Sequence, residues 1–419
     1  TAAAGAAAAA NITKSLRFNS GDSTYLNRTP SSAGNQKTFT FSFWVKRCDI
    51  GIERVLLNAH NSSNLYTRIR YRNTNLLEFF AEIGSTLHYF QVPGLQRDHS
   101  AWAHYVIAVD TTLSTAADRL KIYRNGADAN RTTITQELPQ NADLAINSTL
   151  QHSIGADYGN DVFNGYLADI YLIDGSALDP TSFGAYDDNG VWQAAAYSGT
   201  FGTNGFHLLD FANESTVGHD SSGNENDFTA NNISTSGSGT DILFDVPVNG
   251  DQSDTGAGGE VSANYATLNP LQAITNSPTN GNLDIGGTST GTYTKSVSTI
   301  YIDPEDTTGY YCEFTVVTVG TNPGGHIQLI PLLNPTNNGK GDTGGGGLGM
   351  RGSGGSITRT GNSRFMRGSG AGNRWYLLTD QSSGTDTGVS HAANQVIGVA
   401  VKNGKLYMAI NNTWVLSGN

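Results

Sequence analysis

Residues 38–47 read TFTFSFWVKR and alternate between apolar side chains and polar or amphipathic ones. A β-strand points successive side chains to opposite faces, so this alternation predicts a strand with one buried face. One face would carry Phe39, Phe41, Phe43 and Val45, and the other Thr40, Ser42, Trp44 and Lys46. This is the strongest strand pattern in the chain.

A second long strand is predicted within residues 162–184, VFNGYLADIYLIDGSALDPTSFG. Its alternation places on one face Tyr166, Ala168, Ile170 and Leu172. The Asp174-Gly175 turn and Pro180 then end the strand, because proline lacks the N–H that a sheet needs. An enzyme would place catalytic groups at such a strand end, whereas a binding sandwich would only close its sheet there.

Composition favours short strands over helices throughout the chain. Of the 419 residues, 51 are glycine and only 14% are charged. Long amphipathic helices need more Ala, Leu, Glu and Lys, whereas Gly, Asn and Asp supply tight turns. Asn125-Gly126 and Asn403-Gly404, each between apolar runs, predict two-residue hairpins. We therefore expect an all-β protein of two antiparallel β-sandwich (jelly-roll) domains joined by an irregular Gly/Asn-rich connector.

The pattern divides the chain into four regions. An Ala-rich segment covers residues 1–13, a first sandwich 14–185, a connector 186–249 and a second sandwich 250–419. In the connector, Trp192, Tyr197 and Phe201 are expected to pack back on a neighbouring domain. Residues 341–372 contain 13 glycines and predict a flexible or oligomer-packed insertion. The chain ends just after a strand, which leaves open that the second sandwich is incomplete at its C-terminus.

Charge and cysteine content exclude several classes of protein. A formal net charge of −12 disfavours binding to the phosphate backbone of nucleic acids. The two cysteines, Cys48 and Cys312, are too few and too far apart for a disulfide framework. No apolar run approaches the length of a membrane span. The start, TAAAGAAAAA, lacks both a methionine and the features of a signal peptide, so we expect a processed chain or a piece of a longer one.

Five motifs follow one another along residues 14–185: SLRFNSGDSTYL, FTFSFWVKR, WAHYVIAVD, LKIYRNG and FNGYLADIYLIDGSALDP. In this order they resemble the laminin-G/concanavalin A-like sandwich family. The resemblance implies a jelly roll in which residues 162–184 close the sheet and then lead the chain away from its edge. The polar tail of that stretch would thus reflect topology rather than catalysis.

The second half contains ATLNPL, YYCEFTV and VIGVAVKNGKLYMAINNTW, which resemble a SPRY-type sandwich, with the glycine-rich insertion as a departure from that family. Between the two halves, FGAYDDNGVWQAAAYSGTFGTNGFHLLDF with DSSGNENDF looks like a module that links such sandwiches in fibre and appendage proteins of marine bacteriophages. The combined resemblance implies a virion appendage such as a tail fibre.

Glycosidases on this type of sandwich use a strand with the spacing Glu-x-Asp-x-x-Glu. The nearest match, ENDFTA, has Glu225 and Asp227 but Ala230 in place of the second glutamate. A glycan depolymerase is therefore disfavoured, and we expect no catalysis.

The loop GADYGNDVFNG holds the candidate binding residues. A calcium site would use Asp157, Asn160 and Asp161, because calcium prefers several hard oxygen ligands at short spacing. A sugar site would use Tyr158 flanked by Asp157 and Asn160. In both cases the alternative is an ordinary loop whose residues only pack. The loop YDDNGVW has the same ambiguity, whereas Trp44 and Trp102 are expected in the core.

No other motif predicts a reaction. His99 and His104 have no spacing that suits a metal pair on a strand, and the segment GDTGGGGLGMRG lacks the ending of a phosphate loop. We therefore predict a non-enzymatic appendage of a phage particle, located on the virion surface as a homotrimer, that adheres to a host-surface glycan. A purely structural tail or capsid decoration protein, contacting only other virion proteins, remains the main alternative. A bacterial surface adhesin of the same architecture is also open.

Overall fold

The computed structural model of the chain describes residue 10 and residues 12–60, 64–209, 211, 216–237, 239–248, 262–272, 276–286, 294–300, 302, 307–317, 323–328, 343–344, 348–352, 358–359, 365–369, 374–378, 384–390, 392–403 and 405–416. It forms two compact units, Thr1–Tyr265 and Ala266–Asn419. The described residues contain strands and three single-turn 3₁₀ helices, Ala116–Asp118, Pro180–Ser182 and Pro270–Gln272. The prediction of an all-β protein is confirmed.

The strands of the first unit are β1 (Ser15–Phe18), β2 (Tyr25–Arg28), β3 (Thr38–Arg47), β4 (Arg54–His60), β5 (Leu65–Tyr71), β6 (Leu77–Ile83), β7 (Thr86–Gln91), β8 (Ala103–Asp110), β9 (Leu120–Arg124), β10 (Ala127–Asp128), β11 (Thr132–Thr133), β12 (His152–Ile154), β13 (Gly165–Asp174), β14 (Gly184–Tyr186), β15 (Trp192–Ala194), β16 (Phe206–Leu208), β17 (Thr229–Asn231) and β18 (Ile242–Leu243).

Sixteen of these strands form two eight-stranded antiparallel sheets, and β14 pairs with β15 separately. Sheet A has the order β10-β9-β8-β3-β13-β1-β18, and β16 pairs with β13. Sheet B has the order β11-β7-β6-β5-β4-β12-β2-β17. Both orders mix strands from distant parts of the sequence, as in a jelly roll.

The main core lies between sheets A and B. It includes the residues of β3 that the alternation assigned to one face, namely Phe39, Phe41, Phe43 and Val45. Opposite them, sheet B supplies Ile69, Tyr71, Phe79 and Phe90. Strands β8 and β9 add Tyr105, Ile107, Val109, Leu120 and Ile122 to the same cluster.

Strand β13 departs from the predicted alternation. Ala168 is opposite Trp44 and Tyr171 is opposite Ser42, so β13 has one extra residue between these pairs. Asp169 in this bulge has a φ of 51°. A bulge reverses the phase of the side chains beyond it. The side chains of Tyr166 and Ala168 therefore lie on the outer face of sheet A, whereas those of Ile170 and Leu172 lie in the main core. The prediction that all four share one face is wrong.

The outer face of sheet A is apolar and is covered by later parts of the chain. One covering cluster contains Trp44, Trp102, Tyr166, Trp192 and Val246. A second contains Tyr171, Ile173 and Phe183, with Tyr197 and Phe201 packed against it. The expected burial of Trp44 and Trp102, and the packing of Trp192, Tyr197 and Phe201 on a neighbour, are confirmed.

The predicted boundaries differ from the compact units. Residues 186–249 were expected to be a connector, but β16, β17 and β18 pair with both sheets. Phe206, Leu208, Phe228 and Ile242 belong to the main core. The first unit therefore continues to Tyr265. The short strands were obscured because each pairs with a partner far away in sequence and needs little local pattern of its own. Of the predicted Ala-rich segment 1–13, residues 1–9 and 11 lie outside the described residues.

The turn at Asn125-Gly126 is a two-residue hairpin between β9 and β10, as predicted, because Arg124 pairs with Ala127. Both turn residues have positive φ, 48° and 80°, which matches the preference of tight hairpins for Asn-Gly. A Cβ atom on Gly126 would also collide with the Trp192 ring. Glycine is thus required by the turn and by the covering segment together.

Two buried ion pairs attach the segment around β18 to sheet A. Arg17 Nε is 2.9 Å from Asp241 Oδ1, with both side chains at most 4% exposed. Lys46 Nζ is 2.8 Å from Asp245 Oδ2. A buried charge without its partner is costly, so each pair strongly favours the attached arrangement over a detached one.

A buried histidine, His104, links Trp192, which lies in a segment that covers sheet A, to strand β3 of the sheet. The Trp192 indole Nε1–H donates to His104 Nδ1 at 3.0 Å, and His104 Nε2 is 2.8 Å from Ser42 Oγ. Because indole can only donate, His104 Nδ1 must accept, so its proton is on Nε2 and is donated to Ser42. Burial lowers the pKa of His104 to about 3 and the pKa of His152 to about 4.

The strands of the second unit are β19 (Thr294–Ser296), β20 (Tyr310–Thr315), β21 (Pro323–Gln328), β22 (Thr343–Gly344), β23 (Leu348–Gly352), β24 (Thr358–Arg359), β25 (Phe365–Ser369), β26 (Arg374–Leu378), β27 (Gly384–Ser390), β28 (Val396–Lys402), β29 (Lys405–Ile410) and β30 (Thr413–Leu416). Two antiparallel sheets have the orders β19-β23-β21-β25-β26-β27 and β20-β28-β29-β30. Lys402 pairs with Lys405, which confirms the hairpin predicted at Asn403-Gly404.

The core of the second unit includes Ile397, Val399, Val401 and Met408, with Val389 of the other sheet packed against it. Residues 341–372 were predicted to be a flexible or oligomer-packed insertion, yet β22 to β25 lie within them. Pairing of backbone N–H and C=O groups needs no side chain, so glycine-rich segments can extend a sheet. Cys312 is in this unit and Cys48 is in the first, and both are free thiols.

Replacing Asp241 with alanine should destabilise the first unit by about 3–5 kcal/mol, because Arg17 would remain buried without its carboxylate. Urea unfolding monitored by tryptophan fluorescence would measure this loss. The matched control is Asp143→Ala, since Asp143 is 61% exposed and 3.8 Å from Lys37, and it should change stability by less than about 0.5 kcal/mol. Equal effects of the two variants would contradict the structural role of the buried pair.

Acid should destabilise the first unit from about pH 6.5 downward. His104 and His152 take up protons in the unfolded chain near pH 6.5 but in the folded chain only near pH 3 and 4. Stability is therefore complete above pH about 6.5 and is lost as pH falls, by about 1.4 kcal/mol per pH unit for each histidine. Urea unfolding at several pH values would measure this slope, and His104→Gln should reduce it by one histidine's share.

The exposed His219, whose side chain is 50% exposed, provides the matched control variant, His219→Gln. A His104→Gln slope that equals the wild-type slope between pH 6 and 4.5 would show that His104 is not held neutral by burial.

Candidate functional site

The outer face of sheet B carries a row of ring side chains, here called the aromatic strip, that crosses four strands and the loop before β13. The ring centroids are 4.4 Å apart for Tyr158–His60 and for His60–Tyr66, 5.3 Å for Tyr66–Phe80 and 4.9 Å for Phe80–Tyr89. Phe80 is buried, and the other four are half-buried. The strip is thus a continuous row of ring contacts, with Phe80 buried within it and partly exposed rings on either side.

Strand register places these rings beside one another. His60 is opposite Tyr66, and Phe80 is opposite Tyr89. Directly opposed side chains on one face of an antiparallel pair come within contact distance, and long side chains also reach diagonal neighbours. The inward residues of the same strands fill the core, so alternation assigns the rings to the outside.

Asp157 fixes the loop to one end of the aromatic strip. Its Oδ1 accepts from Asn58 Nδ2 at 2.9 Å and lies 3.1 Å from His60 Nε2. Its Oδ2 accepts from the Tyr66 hydroxyl at 2.7 Å and from Arg68. Charge-assisted bonds of this kind are stronger than neutral ones, so the carboxylate holds strands β4 and β5 and the loop in one arrangement.

Tyr158 is also anchored. Its hydroxyl lies 2.9 Å from the His60 carbonyl and 2.8 Å from the Gln151 carbonyl, and it accepts from the His60 N–H at 3.2 Å. Its φ is 47°, an unusual value for a tyrosine. The hydrogen bonds hold the ring over His60 despite this backbone cost, and they fix one end of the strip.

Of the residues predicted for a sugar site, Asp157 and Tyr158 therefore lie together at the aromatic strip. Asn160 is exposed, and its Nδ2 donates to the Asp157 carbonyl at 3.3 Å. Asp161, which was predicted only for calcium, is 45% exposed and has Oδ2 3.8 Å from Arg68 Nη1. Asn160 and Asp161 are thus exposed residues of the loop and are not part of the aromatic strip.

The predicted calcium set does not fit that ion. Both oxygens of Asp157 already accept from uncharged and cationic donors, Arg68 among them, so a cation would have to displace a guanidinium. Calcium needs 6–8 oxygen ligands, and this loop offers few free ones. Within the described ranges, no group of three or more His, Cys, Asp or Glu side chains is arranged to hold a metal ion.

Next to the strip lies a network of buried charges. Arg70 Nε donates to Glu78 Oε1 at 2.9 Å, and Arg68 Nη1 donates to Glu53 Oε1 at 3.0 Å. The Arg68 guanidinium also lies 4.6 Å from the centre of the Tyr66 ring. Cation–π contact and ion pairing together hold these side chains rigid, which keeps the strip in place.

Three buried polar atoms on this face have no hydrogen-bond partner: Ser153 Oγ, Asn58 Oδ1 and Arg68 Nε. Their residues are neighbours in one row, since Ser153 is opposite Asn58 and Asn58 is opposite Arg68. Unpartnered buried polar groups are rare and costly.

The far end of the strip is apolar and exposed. Leu87 is 41% and Ile134 50% exposed. The Ile134 N–H donates to the Tyr89 carbonyl at 2.8 Å, which places Ile134 beside Tyr89 at the edge of sheet B. A ligand lying along the strip would thus meet a polar end at Asp157 and an apolar end at Leu87 and Ile134.

Sequence reasoning did not identify His60, Tyr66, Phe80 or Tyr89. The signal was present in LYTRIRYR, LLEFFAEI and LHYFQV, where aromatic residues alternate with the apolar residues that face the core. Finding the strip required the pairing of β4 to β7, because only register brings these residues together.

Other candidate sites have structural roles. Ser42 accepts the hydrogen bond from neutral His104 and is fully buried, so this pair is not an activated nucleophile. Glu225, Asp227 and Ala230 are all exposed, the first two in a loop. In the loop YDDNGVW, Asp187 Oδ1 accepts from the N–H groups of Asn189 and Val191 at 2.9 and 2.8 Å, which is an ordinary turn.

His99 is buried, with Nδ1 3.0 Å from the Arg47 carbonyl. It and His104 are thus hydrogen-bonded core groups, as the sequence allowed. In the part of the chain that the structure describes, no helix combines the length and apolarity needed to cross a bilayer.

Comparison with known proteins supports the fold of the first unit. Residues 19–182 match the family model described as the concanavalin A-like lectin/glucanases superfamily. No curated protein matches the chain.

Several solved structures are similar at low identity. A SAP-like pentraxin from Limulus polyphemus is 14% identical over 41% of this chain and 81% of that chain, with a TM-score of 0.30. A putative carbohydrate binding protein from Bacteroides ovatus is 14% identical over 52% and 58%, with a TM-score of 0.35. Domain 4 of an extracellular arabinanase from Geobacillus stearothermophilus, in complex with arabinotriose, is 16% identical over 42% and 77%, with a TM-score of 0.29.

The matched residues 19–182 extend from the loop after β1 into the Pro180–Ser182 turn and include β2 to β13. They contain the whole aromatic strip and most strands of both sheets. The first unit thus has a laminin-G/concanavalin A-like lectin fold.

Proposed function

We propose that the protein binds a glycan on the outer face of sheet B. The observation that carries this proposal is the aromatic strip, whose five rings have successive centroid separations of 4.4 to 5.3 Å. Sugar rings present a face of C–H bonds, which packs favourably on the electron-rich face of an aromatic ring. Hydroxyl groups at the edge of a sugar would pair with the adjacent charged and amide groups.

The dimensions of the strip favour an extended saccharide over a single sugar. The rings cross β4, β5, β6 and β7, and neighbouring strands of a sheet are about 4.8 Å apart. A chain of several sugar units could lie across these strands, from Asp157 to Leu87. A rigid platform loses little freedom on binding, which favours affinity.

We further propose that the protein is a non-enzymatic appendage on the surface of a phage virion, a tail fibre or a similar part. Its partners would be other virion proteins and a polysaccharide of the host cell surface. This context is supported by the resemblance of residues 183–211 and 220–228 to a module that links such sandwiches in phage appendages, and of motifs in the second half to a SPRY-type sandwich. The carboxylates beside the strip support the absence of catalysis, because Glu53 and Glu78 are held by arginines. A homotrimer would multiply weak single-site binding.

Replacing Tyr66 or Tyr89 with alanine should weaken glycan binding about tenfold, equivalent to about 1.4 kcal/mol, because each removes a stacking surface. Binding of the purified full chain to a panel of bacterial surface polysaccharides, and to intact candidate host cells, would measure the effect. Tyr66→Phe keeps the ring and should retain most of the binding, although it loses the bond to Asp157.

The matched control is Tyr186→Ala, because Tyr186 is 54% exposed on β14, away from sheet B. It should bind like the wild type. Equal binding by the Tyr66, Tyr89 and Tyr186 variants would exclude the strip as the site. Failure to bind any of the polysaccharides, or failure to bind a host that the particle infects, would favour the structural decoration role instead.

Removal of calcium with a chelator should leave this binding unchanged, since Asp157 is held by Arg68 and by three further donors. The same binding measurement with chelator, and after calcium is restored, tests this expectation. Loss of binding with the chelator and recovery with calcium would contradict it and support a metal at the Asp157 loop.

A further inference from the structure

Lys46 lies at the centre of a buried polar group on the outer face of sheet A. Its side chain is 1% exposed. Its Nζ is 2.8 Å from Asp245 Oδ2, 2.9 Å from Asn264 Oδ1 and 2.7 Å from the Tyr265 carbonyl. Apolar and aromatic side chains surround this group, among them Trp44, Cys48, Trp102, Tyr166 and Val246. A buried amine and a buried carboxyl therefore meet the carboxamide of Asn264, whose residue is exposed at the edge of this group.

The carboxamide of Asn264 is held in one orientation. Val246 N–H donates to the Ala263 carbonyl at 2.8 Å, and Ala263 N–H donates to the Phe244 carbonyl at 3.1 Å. This short ladder places Asn264 beside Asp245. The Asn264 Nδ2 donates to the Ser100 carbonyl at 2.9 Å, so its oxygen is directed to Lys46 and its nitrogen away.

Asp245 is suited to receive and deliver a proton. Its Oδ1 accepts from Trp102 Nε1 at 2.9 Å, while Oδ2 contacts Lys46. Burial raises the pKa of Asp245. Transfer of a proton from Lys46 to this carboxyl gives the neutral amine, which is the form that attacks a carbonyl carbon.

We propose that Lys46 and Asn264 form an intramolecular isopeptide bond, with Asp245 as the proton carrier. Lys46 Nζ transfers a proton to Asp245 and attacks Asn264 Cγ. The Nζ–Cγ bond forms and the Cγ–Nδ2 bond breaks. Asp245 returns the proton to Nδ2, which leaves as ammonia, and then accepts the second proton that Nζ loses as the amide forms. The products are one amide, one ammonia and a protonated Asp245, so the reaction is balanced without an oxidant, a reductant or a co-reactant.

The geometry favours this reaction over the ion pair alone. Reacting groups held within contact distance behave as if present at very high concentration, which lowers the entropic cost of an amide-forming attack. The Asn264 residue is itself exposed, so ammonia has a path to solvent. By contrast, Lys37 is exposed with only a distant carboxylate and offers no such assembly.

The bond would close a loop from β3 to the segment after β18, with 218 positions between its ends. It would fasten the cover of sheet A covalently, and a cross-link stabilises mainly by restricting the unfolded chain. This role concerns sheet A and is independent of glycan binding on sheet B.

Intact-mass measurement of the purified full chain tests the proposal. The wild type should be lighter than its sequence by one ammonia, and chymotryptic mapping should yield a branched peptide that joins Lys46 to Asn264. Lys46→Arg keeps a buried cation and Asn264→Ala removes the acceptor, so both should keep their full sequence mass. Asn264→Asp should lose water instead and reach the same final mass as the reacted wild type.

Asp245→Asn should retain the unreacted mass for longer, since it removes the proton carrier. If that variant does not fold, comparing the masses of the Lys46→Arg and Asn264→Ala variants with that of the wild type still tests the proposal. A folded wild type at full sequence mass would overturn the proposal. So would an ammonia loss that maps to a succinimide at an Asn-Gly pair, or a Lys46→Arg variant that still loses ammonia.

Discussion

The pairing of β3 with β13 is the constraint on which the rest of the first unit depends. Both strands are buried on both faces: Phe41 and Leu172 face sheet B, while Trp44 and Tyr166 face the other way. A strand with large apolar residues on both faces is stable only when both are covered. Sheet B covers one face, and residues that follow β13 cover the other. The length of the unit, to Tyr265, follows from this requirement.

The same requirement explains why the candidate binding site lies on sheet B and not on sheet A. Sheet A is covered on both sides, and its polar residues Ser42 and His104 are buried and hydrogen-bonded to each other and to Trp192. Sheet B has one face in the core and one open to solvent, where antiparallel sheets can carry polar and aromatic residues. The aromatic strip therefore lies on the face that packing leaves free. A site on this face can change without loss of the core.

Two buried ion pairs fix the position of the segment that covers sheet A, which apolar burial alone would not fix. The segment around β18 is short, with two paired residues on β1, yet Asp241 and Asp245 bind Arg17 and Lys46 on either side of it. Hydrophobic contacts are non-directional, whereas buried ion pairs specify one arrangement because every other arrangement leaves a charge unpaired. By fixing the segment around β18, the two ion pairs also place Asn264 next to Lys46.

Sequence alone determined the fold class, the inward face of β3, the hairpins at Asn125-Gly126 and Asn403-Gly404, and the loop that holds Asp157 and Tyr158. These features depend on local rules of alternation and turn geometry. The second half of β13 was misjudged, because a one-residue bulge at Asp169 reverses alternation and leaves no clear mark in the sequence. Only tertiary structure brought His60 to Asp157, 97 positions apart, and Lys46 to Asp245, 199 apart. The reason is physical: antiparallel pairing joins strands by register over long separations, and no local pattern encodes which distant strand will be the partner.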